Sequence, residues 1–130
     1  MTGTAAGTEP DRVRQRRESA GRFAEVVAAA LLVCKGYRIL AWRYRSRLGE
    51  IDLIARSGRR LAFVEVKARP TIDRAMAALG ETQTRRIWAA AEHWVGRHPR
   101  HQGCEMGFDA VLVIGRWMPR HLPNALQPLY

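Results

Sequence analysis

Two carboxylates and an amine occupy positions that a short β-hairpin would bring together. Asp52 lies in the run Glu50-Ile51-Asp52-Leu53-Ile54-Ala55, and Glu65 and Lys67 lie in Leu61-Ala62-Phe63-Val64-Glu65-Val66-Lys67. Between the runs stands Arg56-Ser57-Gly58-Arg59-Arg60, and Pro70 closes the second; this is the pattern of strand, glycine-containing turn, strand. With Ser57-Gly58 as a two-residue turn, Ile54 faces Leu61, Asp52 faces Phe63 and Glu50 faces Glu65. Side chains alternate faces with a period of two. Asp52, Glu65 and Lys67 then share a face, with Asp52 diagonal to Glu65 at roughly 7–8 Å between backbones, and Glu50 joins them at the same edge. A four-residue loop centred on the same bond keeps this facing. A three-residue loop without a bulge would send Asp52 and Glu65 to opposite faces.

Carboxylates a few ångströms apart repel one another, and partial burial adds to the cost. A hard divalent cation relieves both, because Mg²⁺ takes oxygen ligands octahedrally, typically from one or two carboxylates plus phosphate and water. A neighbouring Lys then holds the attacking water or neutralises charge developing on phosphorus. Two carboxylates, a Lys and Mg²⁺ (or Mn²⁺) amount to a phosphodiester-hydrolysing site. The competing reading is a plain amphipathic strand, with Glu65 and Lys67 on a solvent stripe and Asp52 paired to an Arg. Leu61 and Phe63 share the face of Glu65, which argues against a simple solvent stripe.

The elements that must position these residues follow from periodicity. Residues 1–11 lack any period and read as a flexible tail before a single domain spanning 12–130. From about Arg12 to Lys35 the pattern is helical, with Phe23, Val26, Val27, Ala30, Leu31 and Cys34 on one face and Gly36 at the C-terminal cap. Ala28, Ala29 and Leu32 lie opposite, beside Glu25, as if the helix were covered on both sides. Tyr37 to Arg45 reads as a strand ahead of the hairpin. Residues 71–80 read as a linker or short irregular helix, about 82–97 as a helix, and 108–114 as a buried strand, with a mostly irregular Pro-containing tail beyond. The order is α-β-β-β-α-β, hence an α/β domain with a small mixed sheet flanked by helices.

Charge narrows the partners. The 130 residues hold 22 basic and 12 acidic side chains, for a net charge of +10, and only Lys35 and Lys67 are lysines. Such an excess favours polyanions, through counterion release at phosphates, and Arg forks onto phosphate oxygens. Arg43, Arg45 and Arg47 would share a strand face as a phosphate-tracking stripe, with Trp42 and Tyr44 interleaved as either stacking surfaces or core. The longest apolar run, Val26–Cys34, is nine residues, against about 20 needed to span a bilayer. Arg16-Arg17 ahead of that run imitates an export signal, but Glu25 interrupts it and Val33 is bulky for a cleavage site. Cys34 and Cys104 form no framework. A cytoplasmic location is expected. His98, His101 and Cys104 are spaced for a zinc site but lack a second tight ligand pair.

Gly49-Glu50-Ile51-Asp52-Leu53-Ile54-Ala55 followed by Phe63-Val64-Glu65-Val66-Lys67 resembles the YraN family of predicted endonucleases, itself similar to archaeal Holliday-junction resolvases and the wider restriction-endonuclease-like nucleases. The resemblance runs from about Ser19 to Leu126 and takes in Ala24-Glu25, Arg85-Arg86-Ile87, Phe108-Asp109 and Asn124-Ala125. It implies a restriction-endonuclease-like core and metal-dependent cleavage of DNA, branched DNA included. Asp52 and Glu65 would be the acidic metal ligands, Val66 a backbone-carbonyl ligand, Lys67 the catalytic amine and Glu25 an assisting acid. Arg43, Arg45, Arg47, Arg69, Arg85 and Arg86 would meet nucleic acid, and a homodimer is compatible. Three positions depart from the family's pattern. Gln83 stands where a basic residue is usual, Arg43 replaces a common Asn, and Gly107 replaces a basic residue before Phe-Asp. The alternative in a different class is a nucleic-acid-binding module on the same fold without cleavage, and a protein-interaction scaffold is a third reading.

Overall fold

The computed structural model describes residues 9–128, with side chains from Gly21 onward. Helix α1 spans Glu9–Cys34, strand β1 Arg38–Arg45, β2 Glu50–Ser57, β3 Arg60–Arg69, helix α2 Ile72–Gly80, α3 Thr84–Gly96, β4 Glu105–Ile114 and β5 Met118–Leu122, with a 3₁₀ turn at Pro99–His101. The tail expected over residues 1–11 falls on residues 1–8, outside the described part, and on Glu9–Asp11, which already belong to α1.

The five strands run β1-β2-β3-β4-β5 across one mixed sheet. Neighbours are antiparallel except β3 and β4, which are parallel. A parallel pair needs a crossover, and α2 and α3 supply it. Helix α1 covers one face of the sheet. Ala24, Ala28, Ala29 and Leu32 bury there against Leu53, Ala55, Ala62, Val64, Val111 and Val113. The other face packs Ile54, Leu61, Phe63, Phe108 and Leu112 under Ala75, Ile87, Ala91 and Trp94 of α2 and α3.

Three expectations need correction. The face of α1 that meets the sheet is the small-residue one, while Phe23 and Val26 are more than half exposed. Alanines let the helix backbone approach a sheet face that is itself lined with Ala and Val, so close packing outweighs side-chain size. The segment 71–80 contains a regular helix, capped by the Thr71 hydroxyl accepting from Arg74 N–H. The tail is not irregular throughout, because β5 pairs with β4 and places Pro119 opposite Val113. β5 is an edge strand, the one place where a proline costs the ladder nothing.

Candidate active site

The hairpin forms, with a register two residues away from the expected one. Ser57 pairs with Arg60, and the ladder runs to Leu53 opposite Val64. The turn residues are therefore Gly58 and Arg59, and Gly58 has φ +58°. A glycine with positive φ belongs at the first of two central positions in a type II′ turn, which moves the loop one residue along. A shift of two preserves facing, and the paired register ends at Leu53 opposite Val64. The backbone ladder does not continue there. The Asp52 carboxylate accepts the Val66 N–H at Oδ2, 2.8 Å away, and parts the strands at the point where the acids meet.

Around this point the sequence-predicted groups assemble. Lys67 Nζ lies 3.1 Å from Glu65 Oε1, and both side chains are mostly buried. Glu25 of α1 comes in from the helix side, and its Oε1 accepts from Arg43 Nε at 2.6 Å. Asp52 borders three adjoining clefts. Glu25 and Arg43 border one, Glu65, Lys67 and Arg86 another, and Glu25, Glu65, Val66 and Arg69 the third. Gly49 makes the closeness of α3 possible, since a Cβ there would lie 2.5 Å from the Arg86 carbonyl oxygen. Small size at position 49 thus brings Arg86 to the rim.

The charges do not balance. Burial pushes the Asp52 carboxyl up to about 7, and the negative charges of Glu65 and then Glu25 add to that, against the Val66 N–H and Lys67. Glu65 is also raised, by burial first, with Lys67 opposing. Among the described residues no three His, Cys, Asp or Glu side chains converge as a ready-made ligand set. A magnesium-type ion needs fewer, because water and phosphate complete its shell. Asp52 Oδ1 has no hydrogen-bond partner among the described residues. The N–H and C=O of one strand residue leave on the same side of the strand, so the Val66 carbonyl lies on the Asp52 side. Two repelling carboxylates, one idle oxygen and a backbone carbonyl are a donor set that fits a hard divalent ion.

The arginines fare unequally. Arg69 and Arg86 border the clefts, and Arg85 is exposed beside Arg86. Arg45 is exposed and paired to Glu50 at 3.3 Å. Arg47 lies beyond the end of β1, beside a different cleft with Tyr44 and His93. Arg43 does not extend a straight stripe. Its φ is +48°, a left-handed conformation that suits Asn, the residue expected there by resemblance, better than Arg. Its guanidinium bends back to Glu25 instead of facing solvent. Trp42 is about half exposed and Tyr44 packs against the α2/α3 core. His98 and His101 stack on Trp94. Arg22 borders the Glu25 cleft and went unread in the sequence, although its place three residues before Glu25 on one helix face was a usable sign.

The chain belongs to the family described as Uncharacterised protein family UPF0102, whose profile matches residues 24–113. It is 51% identical over 116 residues to a UPF0102 protein of Rhodopseudomonas palustris (strain BisB18), covering 89% of this chain and 84% of that one. It is 52% identical over 106 residues to one from Nitrobacter winogradskyi, with 82% and 90% covered. A UPF0102 protein of Methylorubrum extorquens is 46% identical over 119 residues, with 92% and 93% covered. The matched stretch contains Glu25, Asp52, Glu65 and Lys67. Among the described residues no helix is long and apolar enough to cross a membrane.

Proposed function

We propose that this chain is a nuclease of restriction-endonuclease-like architecture and YraN type, which hydrolyses phosphodiester bonds in DNA with Mg²⁺ or Mn²⁺ in the cytoplasm. The observation that carries the reading is the meeting of Asp52, Glu65 and Lys67 where β2 and β3 part. Asp52, Glu65 and the Val66 carbonyl would hold the ion. When bound, the ion supplies charge neutralisation at the phosphate and acidifies a water. Asp52 stays fixed because the Val66 N–H holds one of its oxygens. Lys67 Nζ donates to the attacking water and to the phosphoryl oxygens as negative charge builds on them. Water attacks phosphorus and gives up a proton to solvent, the bond to the leaving oxygen breaks, and that oxygen departs with a proton from solvent. Glu25 and its Arg43 partner set the wall opposite Glu65. Arg69, Arg85 and Arg86 track the flanking phosphates.

The test is cleavage of labelled linear and branched DNA in Mg²⁺ or Mn²⁺, beside Glu65→Ala and Lys67→Ala proteins with unchanged folding. Metal-dependent product from the wild type alone supports the reading, and equal product from the variants removes their role. A module that binds without cutting is favoured by one observation, that Lys67 is already paired to Glu65. It predicts salt-sensitive binding and no metal-dependent product.

A further inference from the structure

The turn between β4 and β5 presents Trp117 at 59% exposure and Met118 at 63%. An exposed Trp next to an exposed Met is the kind of apolar patch that calls for a partner, unlike an isolated surface Leu. This turn is also fixed in place. Gly115 takes φ +63° to reverse the chain, and its N–H donates to the Arg69 carbonyl at 2.9 Å. Across the parallel pair, Ile114 stands opposite Arg69. Arg69 in turn borders the cleft that contains Glu25, Asp52 and Glu65. The turn is therefore held at the Arg69 end of β3. Arg69 lies four positions beyond Glu65, a rise of about 13 Å.

Its surroundings are cationic: Arg69, Arg116 and Arg120 are all exposed here. A flat indole among guanidinium groups takes a nucleobase on its face while the arginines hold the phosphates on either side. A continuous duplex offers no such face, because each base is covered by its neighbours. A base becomes available where strands part. We propose that Trp117, with Met118 next to it, stacks on an unpaired or splayed base at a branch in DNA whose phosphate is held in the cleft. The inference rests on the nuclease reading and specifies its substrate class.

Binding can be measured on the full chain without divalent ions, so that nothing is cut, using a forked DNA with 2-aminopurine at the fork and a continuous duplex of equal length. The wild type should prefer the fork and quench the 2-aminopurine. Trp117→Ala should collapse the preference, by roughly five- to fifty-fold for one lost stacked base, and abolish the quenching, and Trp117→Phe should restore much of both. A preference or quenching that survives Trp117→Ala, or a wild type indifferent to the fork, overturns the stacking role and leaves the cleavage reading to its own assay. A wild type that binds neither DNA at low salt overturns both.

Discussion

Strand β3 runs between two carboxylates, Asp109 on β4 and Asp52 on β2, and the two are treated in opposite ways. From the start of β3 the Arg60 side chain reaches along to Asp109, which stands opposite Val64 and is wholly buried, with Nη1 at 2.7 Å from Oδ2 and Nη2 at 2.7 Å from Oδ1. The Asn124 N–H donates to Oδ1 and His121 Nε2 to Oδ2, each at 2.8 Å. Lys35 Nζ, 2.5 Å from His121 Nδ1, donates to that nitrogen and so leaves the ring proton on Nε2, where Asp109 needs it. Burial alone would raise the Asp109 carboxyl, but the Arg60, His121 and Asn124 donors override it and hold the group well below the ordinary carboxylate range. On the other side of β3, two strands across the sheet from Asp109, Asp52 has one backbone donor, two acidic neighbours and a raised pKa. One carboxylate is finished by the fold. The other is left incomplete, as expected of a group reserved for something the chain does not contain.

The finished carboxylate should be the harder one to break. Arg60→Ala leaves Asp109 buried without its bidentate partner, and removing one member of a buried ion pair costs about 3–5 kcal/mol. Urea unfolding at pH 7 should show a loss of that order. Because the Asp109 pKa is depressed on folding, its contribution is present above the ordinary carboxylate value and is lost as pH falls toward the depressed one. The deficit of Arg60→Ala should therefore shrink in acid, and a deficit independent of pH would mean that Arg60 acts through packing alone.

At the unfinished carboxylate the large effect should fall on chemistry. Glu65→Gln and Lys67→Ala should each lower metal-dependent cleavage by about 10²–10³-fold while leaving the unfolding midpoint almost unmoved. Loss of cleavage accompanied by loss of fold would make this cluster structural, like Asp109, and erase the contrast.

The two sites are unequally legible in the sequence. Asp52, Glu65 and Lys67 are close along the chain and sit on alternating strands, so a period of two was enough to bring them together even with the register misjudged by two residues. The misjudgement came from placing Gly58 second in its turn, when its positive φ puts it first. The Asp109 network joins residues far apart in sequence, with Lys35 and His121 separated by 86 positions, and no local period encodes such a meeting. Gly107 shows the difficulty in small. It stands where a basic residue is expected, and a Cβ there would strike the Arg60 guanidinium, so the positive charge arrives from the neighbouring strand instead. The inner face of α1 was misread because Phe23 and Val26 outrank alanine in hydrophobicity, whereas contact with the sheet selects for small size. β5 was missed because Pro119 reads as a breaker until the strand is known to be an edge.

A smaller effect of opposite sign should appear when Asp52 is neutralised. The folded pKa of Asp52 is raised, so folding takes up a proton between the ordinary carboxylate value and about 7. Stability is then greatest below that window and is lost as pH rises through it. Asp52→Asn keeps an acceptor for the Val66 N–H and removes the charge. It should stabilise the fold by about 1–3 kcal/mol at pH 8, with the gain vanishing near pH 4. Asp109→Asn should do the reverse at pH 8, because there the charge is what the donors require. Destabilisation by both substitutions would show that Asp52 is as well compensated as Asp109.

The smallest predicted effect separates a cluster that is merely strained from one built for an ion. If Asp52 and Glu65 are the ligands, millimolar Mg²⁺ or Mn²⁺ at pH 8 should stabilise the wild type by about 1–2 kcal/mol through binding to the folded state alone, a rise of a few degrees in melting temperature. The same ions should not move Asp52→Asn, which keeps the shape of the site with less negative charge, and Arg60→Ala should still respond, since its defect lies at Asp109, on the other side of β3. Protonation competes with the ion for the same oxygens, so the wild-type response should fade as pH drops below about 7, where Asp52 takes up its proton. Sodium chloride at equal ionic strength controls for non-specific screening, which would shift all three proteins alike. A shift common to wild type and Asp52→Asn would mean that the ion acts on the general charge of the molecule, and the unfinished carboxylate would then be a defect of the fold with no ligand to complete it.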